Sequence, residues 1–207
     1  EGMRKVSEIQ SYFVRRLETI VRETGKSCAA WNEVLEDNRP DKSTLIYAWK
    51  DTAACAEAVR AGQPVVMMPA QYCYIDMKQS RWERGHTWAW LVDTRRVYSF
   101  DPDDTGIGGC RPGLVLGIGA GQWAGLLYRP ERFVEYQGYP RLCALAEAGW
   151  TEKGRRNWND FYARLTSGHL DRLSAMGICF RMFPPEADYR DGTITVRSTH
   201  PDGEVRY

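Results

Sequence analysis

Residues 65–77 read VVMMPAQYCYIDM, and the first four form a short apolar run with no alternation of polar residues. Such runs are typical of strands in a parallel sheet that is covered on both faces. Similar runs occur at residues 27–34, 44–49 and 114–121. Because helical or loop segments connect these runs, the sequence predicts an α/β fold with four parallel strands. Helical patterns cover residues 6–24, 52–60, 130–148, 158–165 and 170–176.

An aromatic side chain stands at or just after the end of each predicted strand. These aromatics are Trp31, Trp49, Tyr74 and Trp123, in a chain that contains 8 Trp and 11 Tyr. In a TIM-type (β/α)₈ barrel, the residues that contact ligands lie at this end of the strands. Four strand-helix repeats would make half of such a barrel, and the aromatic surplus favours a binding site for flat apolar ligand faces, sugars included.

Composition excludes several classes of partner. The formal net charge is +1, so there is no basic surface of the kind that binds nucleic acid. The longest apolar runs are too short to span a bilayer. The six cysteines form no C-x-x-C pair and no histidines share metal-ligand spacing, so we expect neither a metal nor a cofactor.

The glycine-rich run LGIGAGQWAGLL at residues 116–127 raises the question of a phosphate-binding loop. A dinucleotide fingerprint needs G-x-G-x-x-G at the start of a helix. Here the glycines alternate at Gly117, Gly119 and Gly121, so the third is out of register. We therefore interpret the run as a crowded strand in which small residues leave room for other groups.

Two polar pairs are candidates for sugar binding. The third strand is predicted to continue into AQYCYID at residues 70–76. Tyr74 and Asp76 are two residues apart, so they would face the same way on this extended segment. A phenol that donates and a carboxylate that accepts suit a polyhydroxylated ligand. Trp31 precedes Glu33 in the same manner, as a platform beside a polar clamp. Each pair also has a purely structural interpretation. In that interpretation Trp31 is a core tryptophan, Tyr74 is a surface tyrosine and Asp76 is a capping aspartate.

The character of the sequence changes after Phe183. Pro184 and Pro185 interrupt the helical pattern, and the segment 191–207 then alternates as a β-hairpin with a turn at residues 201–203. We therefore divide the chain into residues 1–183 and a tail, residues 184–207, that comprises a linker and a hairpin.

Several motifs follow one another in a specific order. They are W-x-E at residues 31–33, Y-x-D-M at 74–77, Y-S-F-D-P at 98–102 and Y-P-R-x-x-A-L-A-E at 139–147. From about Glu8 to Phe183 the chain resembles the C-terminal half of the catalytic barrel of the β-N-acetylhexosaminidases of glycoside hydrolase family 20. The tail resembles the start of the small β-domain that often follows this barrel in bacterial members.

The resemblance implies hydrolysis of terminal β-linked N-acetylglucosamine or N-acetylgalactosamine with retention of configuration. The sugar's own acetamido oxygen attacks the anomeric carbon in this family. Tyr74 matches the residue that donates to that oxygen, and Asp76 matches a residue that binds sugar hydroxyls. By this resemblance, the walls of the acetamide pocket and of the sugar-binding subsite are Trp31, Trp49 and Trp88. Trp123 matches the tryptophan that stacks under the sugar ring.

The chain departs from the family in two places. The catalytic Asp–Glu pair has no counterpart here, so we expect it upstream of Glu1 and expect the isolated chain to be inactive. Four barrel strands would lie upstream as well, which would leave two open sheet edges and favour pairing with a second copy. Gly125 stands where the family usually has a glutamate that binds O4 and O6, which predicts weaker selection between gluco- and galacto-sugars.

Two other functions remain open at this stage. One is a glycan-binding protein that has lost hydrolysis, and the other is a glycosidase of altered specificity that releases disaccharides. Glycan substrates favour an exported protein, periplasmic or extracellular in a bacterium.

Overall fold

The computed structural model describes residues 6–36, 40–104, 113–123, 130–200 and 203–205. The strands are β1 (Ala29–Trp31), β2 (Leu45–Ala48), β3 (Val65–Met67), β4 (Val115–Ile118), β5 (Glu186–Arg190) and β6 (Thr193–Arg197). The α-helices are α1 (Val6–Glu23), α2 (Thr52–Arg60), α3 (Ala70–Cys73), α4 (Thr94–Ser99), α5 (Glu131–Gly138), α6 (Arg141–Trp150), α7 (Trp158–Arg164) and α8 (Leu170–Ala175). Short 3-10 helices cover Asn32–Leu35 and Lys153–Arg155, and a π-type turn, Leu165–His169, joins α7 to α8.

Strands β1 to β4 form one parallel sheet in sequence order, as the sequence predicts. Each strand is shorter than its apolar run. The two central strands carry the core, with Ile46, Ala48 and Val65 fully buried. The edge strands β1 and β4 have no fully buried residue. Burial on both faces therefore holds for the centre of the sheet and not for its edges.

Helix α2 follows β2 after one tight turn. The side chain of Asp51 caps it by accepting a hydrogen bond from the backbone N–H of Ala54 at 2.7 Å, which satisfies one of the free donors of the first turn. Cys55, Ala58 and Val59 are buried on the face of α2 that packs on the sheet. The five described cysteines are all unpaired, and Cys55 serves as a small core residue.

The predicted extended continuation of β3 is wrong. Residues 70–73 form the helical turn α3, in which the backbone N–H groups of Tyr72 and Cys73 donate to the carbonyl oxygen of Pro69. Proline at the start of a helix loses nothing, since its missing N–H would be unpaired there in any case. The turn moves Tyr74 beyond the end of the sheet, and Asp76 follows in a tight turn instead of an extended segment.

The helix predicted over residues 130–148 is two helices. α5 ends at Gly138 and α6 begins at Arg141, with Tyr139 and Pro140 between them. A proline cannot donate a backbone hydrogen bond and its ring collides with the preceding turn, so the helix breaks there. The sequence contained this signal in Y-P-R, and the apolar periodicity outweighed it in the prediction.

The break at Pro140 places Arg141 at the centre of the structure. Its side chain is fully buried, and its guanidinium donates hydrogen bonds to the carbonyl oxygens of Ile75, Met77 and Val92, the last two at 2.9 and 2.7 Å. It also donates to the backbone and side-chain oxygens of Gln137. Burial lowers the pKa of Arg141 to about 9, so the group is still charged at neutral pH.

The tail forms a hairpin, but the turn is not where the sequence predicts it. β5 and β6 pair antiparallel from Glu186 opposite Arg197 to Arg190 opposite Thr193, with the turn at Asp191 and Gly192. Asp191 and Gly192 both have positive φ, at 48° and 78°, as the type I′ turns of two-residue hairpins require. Asp-Gly is the stronger turn signal, and two residues of the predicted turn, 201 and 202, lie outside the described residues.

Exposed apolar side chains form two groups, one on helix α1 and one at the edge strand β4. Helix α1 exposes Ile9, Phe13, Leu17 and Ile20 at helical spacing, and beside β4 the side chains of Leu116 and Trp150 are also exposed. None of the described helices is long and apolar enough to cross a membrane. These strips resemble the buried faces of a larger α/β domain more than an ordinary surface.

We expect Arg141→Met to lower the free energy of unfolding of this chain by about 3 kcal/mol or more, because it leaves several buried carbonyl groups without donors. Urea denaturation followed by tryptophan fluorescence measures the change. Arg132→Met, on the exposed side of α5, is the matched control and should stay within about 0.5 kcal/mol of the parent. Equal effects of the two substitutions would contradict the role of Arg141.

Candidate active site

A cavity of about 320 Å³ lies where the carboxyl ends of the four parallel strands meet. Each strand contributes to it: Trp31 ends β1, Trp49 follows β2, Tyr74 follows β3 and Trp123 follows β4. The complete lining is Trp31, Glu33, Trp49, Tyr74, Asp76, His86, Trp88 and Trp123.

The six residues that the resemblance assigns to the site all line this one cavity. They are Tyr74, Asp76, Trp31, Trp49, Trp88 and Trp123. Glu33 and His86 join them; the W-x-E motif and the aromatic-rich segment RGHTWAW were the available signals. Gly125 lies outside the described residues. A larger cavity, about 540 Å³, lies among α6, α7 and the π-type turn and contains no predicted site residue.

The aromatic rings form three walls at different angles. The Trp49 indole stacks on the Tyr74 ring, with 5.8 Å between ring centroids and 17° between planes. Trp88 stands edge-on to both rings, at 84° and 89°. Trp123 contacts Trp31 and Tyr74 at centroid distances of 5.5 and 6.2 Å. The four indoles and the Tyr74 ring therefore give the cavity a mainly aromatic lining.

The position of Tyr74 depends on a glycine of the 116–127 run. A Cβ atom on Gly121 would lie 2.5 Å from the Tyr74 ring, so no larger residue fits there. The two segments are also tied by backbone hydrogen bonds, from Ile75 N–H to Gly121 O at 2.8 Å and from Gly121 N–H to Cys73 O at 3.0 Å. Close approach of Tyr74 thus explains Gly121, whereas Gly117 meets nothing within 4 Å. Among the described glycines of the run, only Gly121 is crowded, since a Cβ atom on Gly119 would make ordinary contacts at 3.5 Å or more.

Tyr74 and Asp76 bring polar atoms to the cavity that lack partners within the described chain. Both residues are only 1% exposed, and neither the Tyr74 hydroxyl nor Oδ1 of Asp76 has a partner there in full hydrogen-bond geometry, although the Trp123 side chain interacts with the Tyr74 hydroxyl. Burial raises the pKa of Tyr74 to about 12, so this phenol is a neutral donor at any physiological pH. Burial also raises the pKa of Asp76, against the opposing effects of its backbone hydrogen bond and of the nearby Arg141 guanidinium.

A carboxylate fixes the stacked indole. Both side-chain oxygens of Glu33 accept from the Trp49 Nε1–H, at 2.9 and 3.1 Å. The buried Asn32 fixes the backbone, since its Oδ1 accepts from the N–H groups of Trp49 at 2.9 Å and Lys50 at 3.3 Å. The W-x-E motif therefore supplies the wall of the cavity at Trp31 and the support of a second wall at Trp49.

Comparison with known proteins agrees with this geometry. Residues 1–153 match the catalytic domain of glycosyl hydrolase family 20. The chain belongs to glycosyl hydrolase family 20. It is 30% identical over 187 residues to a beta-hexosaminidase of Porphyromonas gingivalis and 32% identical over 151 residues to a beta-N-acetylhexosaminidase of Cellulomonas fimi.

These alignments cover 89% and 71% of this chain, but only 24% and 30% of the two relatives. The solved structure of a family 20 exo-β-N-acetylglucosaminidase from Vibrio harveyi with N-acetylglucosamine matches with a TM-score of 0.79 at 34% identity. That match covers 87% of this chain and 28% of the Vibrio chain. The family predicted from the motifs is confirmed, and the family 20 neighbours give the chain a TIM-barrel-type α/β fold.

We expect Glu33→Leu to free the Trp49 indole in this family 20 chain. Because the indole loses a charge-assisted acceptor, the Trp49 Nε1 proton should exchange with solvent roughly tenfold faster or more. Proton NMR measures this exchange rate, and the Trp49→Phe variant assigns the resonance. Glu36→Leu, which removes only an exposed ion pair with Lys50, should leave the resonance in place. An unchanged resonance in Glu33→Leu would contradict the support role.

The raised pKa of Asp76 predicts a pH-dependent effect of Asp76→Asn on stability. The folded state disfavours the ionised Asp76 carboxylate, which lowers the free energy of unfolding of the parent. This loss is absent below the ordinary pKa of 3.8 and grows as the pH rises through the higher pKa of the folded state. Asn does not titrate, so the variant should gain stability relative to the parent between pH 4 and pH 7. Urea denaturation at both pH values measures the gain, and a difference that is constant with pH would contradict it.

Proposed function

We propose that the protein carrying this chain is a β-N-acetylhexosaminidase that removes terminal β-linked N-acetylglucosamine or N-acetylgalactosamine from glycans. The observation that supports this most is the pairing of one buried donor, the Tyr74 hydroxyl, with one buried acceptor, Asp76 Oδ1, in a tryptophan-walled cavity. Buried polar atoms without partners are costly, so their presence favours a ligand that pairs with both. An N-acetylated sugar offers an amide oxygen, hydroxyl groups and an apolar methyl group in one molecule.

The proposed mechanism uses the substrate's own acetamido group. Its oxygen attacks the anomeric carbon as the bond to the leaving oxygen breaks, and that oxygen takes a proton from an acid. Water then opens the cyclic intermediate, so the configuration is retained. Tyr74 donates to the acetamide oxygen and holds it in line for attack. It keeps its proton throughout, because burial raises its pKa to about 12.

The remaining residues of the cavity bind and orient the sugar. Asp76 accepts hydrogen bonds from ring hydroxyls, and Trp49, held by Glu33, forms the slot for the acetamide methyl group with Trp88 and Trp31. Trp123 supports the apolar face of the sugar ring. The proton donor and the aspartate that orients the acetamide come from the part of the relatives' length that this chain does not span. No cofactor enters this mechanism.

We further propose that residues 1–183 form half of a (β/α)₈ barrel and that residues 184–207 belong to a following β-domain. The open edges of β1 and β4, the exposed apolar side chains of α1, and the exposed Leu116 and Trp150 fit contact with four further strand-helix units. In an isolated chain a second copy can cover the same edges. Glycan substrates fit an enzyme exported to the periplasm or the medium.

Release of p-nitrophenol from the β-linked N-acetylglucosaminide and N-acetylgalactosaminide by the full-length protein tests the proposal. Tyr74→Phe should lower kcat by roughly 100-fold, as expected for losing one donor to a developing charge. Tyr72→Phe, a change two residues away and outside the cavity lining, is the control and should keep full activity. Tight binding of N-acetylglucosamine without any hydrolysis would favour a glycan-binding protein and contradict the enzyme.

A further inference from the structure

His86 is a cavity residue that has no part in the mechanism proposed above. It lines the cavity together with Asp76 and Trp88, and its side chain is half-buried. Among the residues that the structure describes, none forms a hydrogen bond with its imidazole ring. A histidine ring carries at least one N–H donor, and in the neutral form its other nitrogen accepts. The imidazole therefore has hydrogen-bonding atoms that a ligand in the cavity can use.

The backbone of His86 is fixed beside the backbone of Asp76. The N–H of His86 donates to the carbonyl oxygen of Asp76 at 3.0 Å, and its own carbonyl oxygen accepts from the N–H of Lys78 at 2.8 Å. Gly85 permits this approach, because a Cβ atom there would lie 2.9 Å from the Lys78 nitrogen and 3.0 Å from the Asp76 oxygen. The φ angle of Gly85, +142°, is also one that other residues rarely adopt.

The residues that precede His86 are held by distant parts of the chain. The side-chain Nε2 of Gln137, in α5, donates to the carbonyl oxygen of Arg84 at 3.0 Å. The carboxylate of Glu83 accepts two hydrogen bonds from the guanidinium of Arg181, at 2.8 and 2.6 Å. The backbone position of His86 is thus fixed before a ligand binds, and this reduces the conformational entropy that binding must remove.

The side chains of His86 and Asp76 act on the same part of the cavity. Burial raises the pKa of the Asp76 carboxyl group, and electrostatic interaction with His86 is one of the effects that oppose this rise. Oδ1 of Asp76 has no hydrogen-bond partner among the described residues. One residue thus provides acceptors and the other provides a donor. Hydroxyl groups of a pyranose both donate and accept, so they suit such a pair.

We propose that His86 is a substrate-binding residue that donates a hydrogen bond to a hydroxyl group of the same sugar that Asp76 binds. This inference rests on the proposed function and makes His86 a determinant of which sugars the cavity accepts. Aromatic walls bind any flat apolar face and select little among sugars. A polar side chain that pairs with one hydroxyl selects against a sugar that lacks this group, because the side chain then has no partner.

Removal of single hydroxyl groups from the substrate tests this role in the full-length protein. The substrates are p-nitrophenyl β-N-acetylglucosaminide and its three analogues that lack the hydroxyl group at C3, C4 or C6. His86→Ala should lower kcat/KM on the complete sugar by roughly fivefold to tenfold, as expected for losing one hydrogen bond. On at least one analogue the variant should stay within about twofold of the parent, because the hydroxyl group that His86 binds is already missing.

His86→Phe keeps a flat ring without nitrogen atoms and should show the same pattern. His169→Ala is the matched control, since His169 is also half-buried but lines the separate cavity of about 540 Å³. It should keep parental kcat/KM on every substrate. An equal loss on all four substrates in both His86 variants would overturn the inference, as would the absence of any loss on the complete sugar. If the parent does not hydrolyse the complete sugar, the proposed function is overturned instead.

Discussion

The candidate site depends on one buried cation. The guanidinium of Arg141 binds the carbonyl groups of Ile75, Met77 and Val92, which belong to the two ends of the segment that carries Asp76, His86 and Trp88. Those carbonyls lie outside the strands of the sheet. Without Arg141 they would be buried with no hydrogen-bond donor, at a cost of about 1–3 kcal/mol each. A planar group with five donors is the side chain that can satisfy several carbonyls at once. The same contact therefore fixes the cavity and the exposed segment beyond it.

The second constraint is steric. The Tyr74 ring lies against the backbone of Gly121, where a Cβ atom would approach it to 2.5 Å. This approach buries the ring while its hydroxyl stays at the cavity, and the same burial raises the pKa of the phenol to about 12. A chain that buries a hydrogen-bond donor and a carboxylate without pairing them has a lower free energy of unfolding than one that pairs them. Functional sites commonly accept this loss of stability, and the hydrogen bonds of Arg141 on the other side of the turn offset it.

Much of the architecture could be predicted because it rests on local signals. The four apolar runs gave the parallel sheet, and the aromatic at each strand end gave the site, since the carboxyl ends of parallel strands meet at one edge. Residues 70–77 were predicted wrongly because apolar character alone does not distinguish a strand from a short helical turn. The break at Pro140 was overlooked because apolar spacing continues across it. Neither Arg141 nor the bond from Glu33 to Trp49 could be found this way, since both join segments far apart in sequence.

Exposure of the cavity residues increases from the middle of the sheet to its edges. Tyr74, after the central strand β3, is 1% exposed, whereas Trp31 and Trp123, at the edge strands, are 43% and 45% exposed. The two groups proposed to hold the acetamide and the hydroxyls are thus fixed by this chain alone, through Gly121 and Arg141. The outer walls are supported on one side only, because each follows an edge strand of the sheet. A partner for those edges would therefore complete the rim of the cavity without having to build its centre.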